Sequence, residues 1–173
     1  MNKLILIKPD KSYINEMEIF VEEFQKLNEN IHGSSGIQHY PDLNEWFDHI
    51  KRMENKETVP ALHVPSTTYL SVIEETKEII GIISIRHYLD ENLKRYGGHI
   101  GYSIRPSKRR LGYGYKQLEL ALHKCKEFKI KEALVTCDYD NIGSKKIILK
   151  NNGIFDSKIV EKNQEIERYW IKI

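Results

Sequence analysis

Apolar residues recur along this chain with two different periods, which predicts a mixture of helices and strands. A short apolar run at residues 4–7, closed by Pro9, predicts a first strand. Spacings of three or four residues then predict two amphipathic helices. The first is capped by Ser12 and has an apolar face formed by Ile14, Met17, Val21, Phe24 and Leu27. The second is capped by Asp42 and has an apolar face formed by Leu43, Trp46, Phe47, Ile50 and Met53.

Strands dominate the middle of the chain. Residues 69–73 and 79–85 predict two strands joined by a charged turn at 74–78. The second strand is almost continuous in isoleucine, which is typical of a strand buried on both faces. A polar loop at 88–98 leads to another predicted strand at 99–105.

The last third of the chain alternates between the two periods. A helix with Leu118, Ala121, Leu122 and Cys125 on one face precedes a buried strand at 133–137. Asn141 can cap a further helix that ends near Gly153, and strands at 154–160 and 166–173 follow. A strand–helix–strand unit implies a parallel pair. We therefore expect one domain over residues 1–173, an α/β fold whose mixed, mostly antiparallel sheet has helices on both faces.

Composition narrows the class of protein but not its function. The 173 residues carry 27 Lys and Arg against 25 Asp and Glu, a net charge of +2 that argues for neither nucleic acid nor membrane as a partner. Cys125 and Cys137 show no metal-binding spacing, so we expect reduced core cysteines and no metal. The apolar run at the N-terminus is too short for a signal peptide, which favours a cytoplasmic protein.

A basic turn with two glycines, at residues 109–114, is the clearest candidate for chemistry. It reads Arg-Arg-Leu-Gly-Tyr-Gly and lies between a strand and a helix. Main-chain N–H groups at a helix N-terminus bind anions, and glycine lets a phosphate approach closely. The dinucleotide and P-loop patterns are both absent. A second short loop, at 33–36, contains two glycines and two serines, and we expect it to be flexible and to border a binding site.

In this context the turn resembles the acyl-coenzyme A signature of the GCN5-related N-acetyltransferases, Arg-x-x-Gly-x-Gly. The segment from Asn141 to Gly153 resembles the second cofactor motif of that family, an Asn-x-x-Ala/Ser helix that ends in glycine. The order of predicted elements over the whole chain also matches the family. The resemblance implies acetyl-coenzyme A as acyl donor and a splayed parallel pair formed by the strands at 99–105 and 133–137.

The same resemblance implies a cofactor site. The turn would hold the pyrophosphate, the preceding strand would pair with the pantetheine arm, and the second motif would contact that arm. The residues concerned are Ser103, Ile104, Arg105, Arg109, Arg110, Leu111, Gly112, Tyr113, Gly114, Tyr115, Asn141 and Ser144.

The catalytic groups are less well defined. Many family members carry a tyrosine that acts as the acid and protonates the leaving thiolate, but this chain has Ile148 at that position. Tyr139 and Tyr102 are candidates for the acid because they are expected to lie near the cleft. His99 lies where the family often places a general base, and His87 is a second candidate because a hairpin would bring it near His99. Direct attack by a neutral amine through a water relay is an equal alternative.

Three functions follow from these observations. The first is acetyl transfer to a primary amine of a small molecule, peptide or protein. The second is a sensor or binding module that binds coenzyme A without efficient catalysis. Ile148 favours it because isoleucine cannot act as an acid. The third is nucleic-acid binding, which the low net charge and the lack of a recognised nucleic-acid motif disfavour. Its candidate cations are Lys108, Arg109, Arg110, Lys145, Lys146 and Lys150. Pairing of edge strands into a homodimer is compatible with the fold.

Overall fold

Seven strands form one mixed sheet in the order β1-β2-β3-β4-β5-β7-β6. The computed structural model describes residues 2–173. The strands are Leu4–Ile7 (β1), Ser66–Ile73 (β2), Ile79–Arg86 (β3), Ile100–Ile104 (β4), Glu132–Asp138 (β5), Ile154–Glu161 (β6) and Gln164–Lys172 (β7). Neighbouring strands are antiparallel except β4 and β5, which are parallel. The predicted fold class is confirmed.

Four helices cover the two faces of this sheet. They are Ile14–Lys26 (α1), Leu43–Met53 (α2), Tyr113–Cys125 (α3) and Ile142–Lys150 (α4). One core contains Phe20 of α1 and Trp46 of α2, and the other contains Leu118 of α3 and Ile148 of α4. As its isoleucines predict, β3 is buried along almost its whole length. No helix within residues 2–173 is both long and apolar enough to span a membrane.

Some local predictions need correction at the start and end of α1. The carboxylate of Asp10 accepts a hydrogen bond from the main-chain N–H of Ser12 at 2.8 Å, so Asp10, rather than Ser12, caps the turn that precedes α1. Leu27 lies just beyond the end of the helix and is exposed, whereas the spacing placed it on the buried face. The first error reflects a short 3-10 turn at Lys11–Tyr13 that the apolar pattern does not reveal, and the second arises because α1 already ends at Lys26.

A buried arginine joins the end of β4 to α1. Arg105 is only 6% exposed, and its guanidinium contacts the carboxylates of Glu16 and Glu23 at 2.6 Å each. Glu23 also accepts a hydrogen bond from the main-chain N–H of Ser107, at 3.2 Å. Burial by itself would raise the pKa of Glu23, but the hydrogen bonds from Arg105 and Ser107 hold it below its usual value. The network therefore stabilises the charged form of Glu23.

The loop between α1 and α2 lies directly on β4. A Cβ atom added to Gly33 would come within 2.0 Å of the main-chain oxygen of Gly101, so the two backbones are in contact. The indole N–H of Trp46 donates to the carbonyl oxygen of Ser34 at 2.8 Å, and Ser35 bonds Thr68 at 3.0 Å. The loop is thus held by three kinds of contact, in contrast to the flexibility expected from its composition.

We predict that Arg105→Met lowers the free energy of unfolding by about 3 kcal/mol, because it leaves two partly buried carboxylates without their partner. Urea unfolding at pH 7 measures this loss. Lys94→Met, which removes an exposed pair with Glu91, is the control and should change stability by about 0.5 kcal/mol or less.

The loss caused by Arg105→Met should also depend on pH. Since the folded-state pKa of Glu23 is depressed, its stabilisation is fully present above the unfolded pKa and disappears as the pH falls through the folded pKa. The difference between wild type and variant should therefore shrink in acid, below the ordinary carboxyl range. A difference that stays constant down to pH 3 would contradict this account.

We predict unequal effects for alanine at the two glycines of the α1–α2 loop. Gly36 has a φ of +76°, and an added Cβ would make only an ordinary contact of 3.5 Å with the His39 ring, so Gly36→Ala should cost about 1 kcal/mol of backbone strain. Gly33 has a φ of +71° and also meets the backbone of Gly101, so Gly33→Ala should cost about 3 kcal/mol. Thermal or urea unfolding compares them. Equal losses would show that the contact with β4 is not tight.

Candidate active site

The parallel strands β4 and β5 are paired at a single position and then diverge. Ile100 pairs with Val135, and no later residue of either strand has a partner on the other. Arg86 N–H donates to His99 O and Arg105 N–H donates to Ile80 O, each at 2.8 Å, on either side of β4, so in this register the odd-numbered residues of β4 bond to β3. By the alternation of a strand, the main-chain groups of Tyr102 and Ile104 face the gap. The gap therefore has hydrogen-bonding groups along one wall.

The turn after β4 ends in a helix N-terminus without a side-chain cap. Gly112 occupies the N-cap position with a φ of +87°, a left-handed conformation that favours glycine. Within residues 2–173, no hydrogen bond is formed by the main-chain N–H groups of Tyr113, Gly114 and Tyr115. Three free donors and the positive end of the α3 dipole make this an anion site.

A cavity of about 560 Å³ joins the gap to this helix N-terminus. Its walls come from β4, the following turn, the first turns of α3 and one side of α4. The first residues of the α1–α2 loop, just after α1, complete the walls. The lining residues are Glu29, Asn30, His32, Tyr102, Ser103, Ile104, Lys108, Arg109, Arg110, Gly112, Gly114, Tyr115, Asn141, Gly143, Ser144, Lys146, Ile147 and Lys150. The volume suits an organic ligand of substantial size.

Positive charge is concentrated at the outer part of the cavity. Among the described residues, no carboxylate oxygen lies within 4.0 Å of the charged groups of Arg110, Lys146 or Lys150. Arg109, in contrast, is engaged: it donates to Ile104 O at 3.1 Å and to Glu29 at 3.0 Å. The free cations add to the anion site, whereas Arg109 ties the turn to the loop that follows α1.

The first turn of α4 forms the wall opposite β4. The side chain of Asn141 accepts a hydrogen bond from the main-chain N–H of Ser144 at 3.0 Å, so the predicted cap is confirmed. The hydroxyl groups of Ser144 and Tyr102 lie 2.8 Å apart. Burial raises the pKa of the Tyr102 phenol above its usual value, although the bond to Ser144 opposes this. Tyr102 is therefore a neutral phenol at physiological pH.

Most residues predicted to bind the cofactor line this cavity. Three do not: Arg105 is engaged with α1, Leu111 is exposed, and the ring of Tyr113 packs against the core beside Leu4. Leu111 and Tyr113 still belong to the turn through their main chains. Their roles as cofactor ligands stay predictions. The same holds for Arg105, whose guanidinium is already paired with the carboxylates of Glu16 and Glu23.

His99 does not line the cavity. It is 8% exposed, and its Nδ1 accepts a hydrogen bond from the main-chain N–H of Leu134 at 2.9 Å. Burial, with a smaller contribution from the charge of Arg86, lowers its pKa to about 4. A neutral ring that bridges β4 and β5 is a weak base, so this geometry weakens the predicted role of His99, which stays untested.

His87 and Tyr139 also lie outside the cavity walls. The ring of His87 stacks on Phe128 at 4.1 Å and bonds Thr67 at 2.9 Å, and burial lowers its pKa. Since Arg86 pairs with His99, His87 faces the opposite side of the sheet, and the expected proximity of the two histidines is wrong. Tyr139 is half exposed, with Lys158 over its ring at 4.5 Å.

Sequence reasoning missed His32, the one histidine among the residues that line the cavity in the described chain. It precedes Gly33, whose contact with Gly101 holds this part of the loop beside the start of the gap. The glycine–serine loop indicated a nearby binding site, but nothing in the sequence showed that it would dock on β4. Within residues 2–173, no group of three or more His, Cys, Asp or Glu side chains is arranged to hold a metal.

Comparison with solved structures identifies acetyltransferases of the same fold. The RimL acetyltransferase of ribosomal protein L7/L12, solved with coenzyme A, has a TM-score of 0.70 and 16% identity, covering 100% of this chain and 96% of its own. The microcin C7 self-immunity acetyltransferase MccE, solved with acetyl-CoA and AMP, has a TM-score of 0.71 and 13% identity, covering 100% and 94%. At these identities the likeness establishes the fold alone.

A third structure of the same fold is a spermidine N-acetyltransferase, a SpeG chimera from Vibrio cholerae and hSSAT. Its TM-score is 0.68 at 12% identity, covering 98% of this chain and 95% of its own. A search of curated protein sequences finds no match. The family profile described as an acetyltransferase (GNAT) domain, however, matches residues 16–153, most of the chain. This chain therefore belongs to the GNAT acetyltransferase family.

Proposed function

We propose that this protein transfers the acetyl group of acetyl-CoA to a primary amine. The observation that carries the proposal is the uncapped N-terminus of α3, which opens onto a cavity leading to the gap between β4 and β5. An anion site and a narrow gap with free main-chain groups together suit a long ligand with phosphates at one end and an extended arm at the other. The coenzyme A and acetyl-CoA seen in two relatives support this choice.

The donors in the cavity fit the chemistry of coenzyme A. The N–H groups of Tyr113, Gly114 and Tyr115 would hold the pyrophosphate, since they have no other partner in the described chain. The cations of Arg110, Lys146 and Lys150 would offset the remaining phosphate charge. The main-chain groups of Tyr102 and the N–H of Ile104 would bond the amide groups of the arm in the gap, since β3 leaves them free and Ile104 O is already bonded to Arg109.

Bound acetyl-CoA would supply an activated acetyl thioester, and the residues of this chain would mainly position it. The walls of the gap would hold the arm in one place, which would remove much of the entropic cost of bringing the two reactants together. His32 lies on the loop at the start of the gap, where an incoming amine can transfer a proton to it or to water. This assignment makes His32 a better candidate for the base than His99.

Membership of the family indicates that the acceptor is an amine but does not indicate which amine. RimL modifies the α-amino group of a ribosomal protein, and the SpeG chimera is a spermidine acetyltransferase. We propose a small-molecule, peptide or protein amine for this chain. A coenzyme A-binding protein without efficient turnover is the second candidate, favoured by Ile148, which is fully buried in the core and has no proton to give.

We predict that the protein binds coenzyme A and consumes acetyl-CoA when supplied with an amine. Calorimetric titration measures binding, and thiol release together with the mass of the acetylated product measures turnover on a panel of polyamines and peptides. Binding with turnover supports the first candidate, whereas binding without turnover on any amine supports the second. Absence of binding would contradict both.

We predict that charge at position 112 controls binding. Aspartate and asparagine have the same shape and both tolerate the left-handed conformation of Gly112, but only aspartate carries a charge that repels a phosphate. Gly112→Asp should therefore bind coenzyme A about tenfold more weakly than Gly112→Asn, or worse. Their melting temperatures should be similar because both residues cap helices well. Equal affinities would show that the α3 N-terminus does not hold phosphate.

A further inference from the structure

The phenol of Tyr102 reaches across the cavity from one wall to the other. Tyr102 lies two residues beyond Ile100, the last position at which β4 pairs with β5. Its side chain faces α3 and α4, and its hydroxyl lies 2.8 Å from that of Ser144 on the first turn of α4. Since both residues line the cavity, their hydroxyl groups lie where the two strands have begun to separate.

We propose that Tyr102 donates the proton that the leaving sulfur takes up during acetyl transfer, with Ser144 as the positioning residue. This inference rests on the proposed function. It places the acid on β4 rather than on α4, where the buried Ile148 offers none. The arm of the donor must pass the gap beside Tyr102 before its thioester can meet an amine.

The hydroxyl of Ser144 lies beside that of Tyr102 but is an aliphatic alcohol and a weaker acid than a phenol, and the other proton donors in the cavity lie elsewhere. Tyr115 belongs to the first turn of α3 and Lys150 to the last turn of α4, both at the phosphate end. His32 comes from the α1–α2 loop, which contacts the opposite face of β4 at Gly101. Tyr139 lies outside the cavity walls. Among the described residues that line the cavity, Tyr102 is the one phenol at the gap.

The proton balance of the step is complete without a further reagent. Tyr102 gives its hydroxyl proton to sulfur as the carbon–sulfur bond breaks and the electron pair stays on sulfur. The amine nitrogen forms the new carbon–nitrogen bond and releases one proton to water or His32. A proton from solvent then restores the phenol through the hydroxyl of Ser144, so that in total one proton moves from nitrogen to sulfur. Because Tyr102 is neutral near pH 7, its proton is in place before each turnover.

Tyr102→Phe tests the proposal because it removes the hydroxyl and keeps the ring. The expected result is a fall in kcat of about 100-fold, with the Kd for coenzyme A unchanged within about twofold. Tyr13→Phe, the same change at the start of α1, is the control and should keep wild-type kcat. A Tyr102→Phe enzyme within threefold of wild-type kcat, or one whose coenzyme A affinity falls in parallel, overturns the proposal.

Two further measurements separate an acid from a merely structural phenol. Replacement of Tyr102 by 3-fluorotyrosine, a more acidic phenol of similar shape, should restore most of the kcat that is lost in Tyr102→Phe. A kcat that stays as low as that of Tyr102→Phe would contradict the assignment. Ser144→Ala should lower kcat by about tenfold with little change in KM, because the phenol then loses the partner that orients it.

A readout without turnover distinguishes failure of this inference from failure of the proposed function. Tyrosine labelled with carbon-13 at Cζ reports the environment of the Tyr102 hydroxyl. Its resonance, assigned with Tyr102→Phe, should shift more on addition of coenzyme A than of desulfo-coenzyme A, which lacks the sulfur. Identical shifts would overturn the contact with sulfur even if acetyl transfer is observed. Absence of binding by either compound would overturn the proposed function itself.

Discussion

The separation of β4 from β5 after one paired position is the constraint on which the candidate site depends. A strand in the middle of a sheet normally bonds to both neighbours, but beyond Ile100 β4 bonds to β3 alone. Main-chain groups that lose a partner inside a protein need another, because a buried unpaired group is costly. The protein therefore keeps a gap that a ligand with amide groups can complete.

The gap is held open from both ends of β4. At one end Arg105 joins the strand to α1 through two carboxylates, and Arg109 joins the next turn to Glu29. At the other, Gly33 and Gly101 bring the α1–α2 loop into direct contact with the strand. Arginines that look like phosphate ligands in the sequence thus divide into two groups. Arg105 and Arg109 position the walls, while Arg110 stays free to meet an anion.

Local features of the site could be predicted from the sequence, and long-range ones could not. The turn with Gly112 and the cap at Asn141 depend on residues close together in the chain, so their spacing revealed them. The partners of Arg105 are 82 and 89 residues away, and no local pattern indicates them. His32 was missed for the same reason, since its place beside the gap depends on how the loop docks on β4. His99 was chosen for its position in the strand, which says nothing about burial or about the bond from Leu134.

The long separation between Arg105 and its partners also affects how the protein folds. Glu16 and Glu23 are synthesised more than 80 residues before Arg105, so α1 must wait for β4 before its carboxylates are paired. Contacts between residues so far apart require closure of a large loop and slow the folding of a domain. The β3–β4 hairpin and the turn before α3 can form from nearby residues. Because Glu29, Asn30 and His32 line the cavity, its wall is complete only once the segment that follows α1 has docked beside β4.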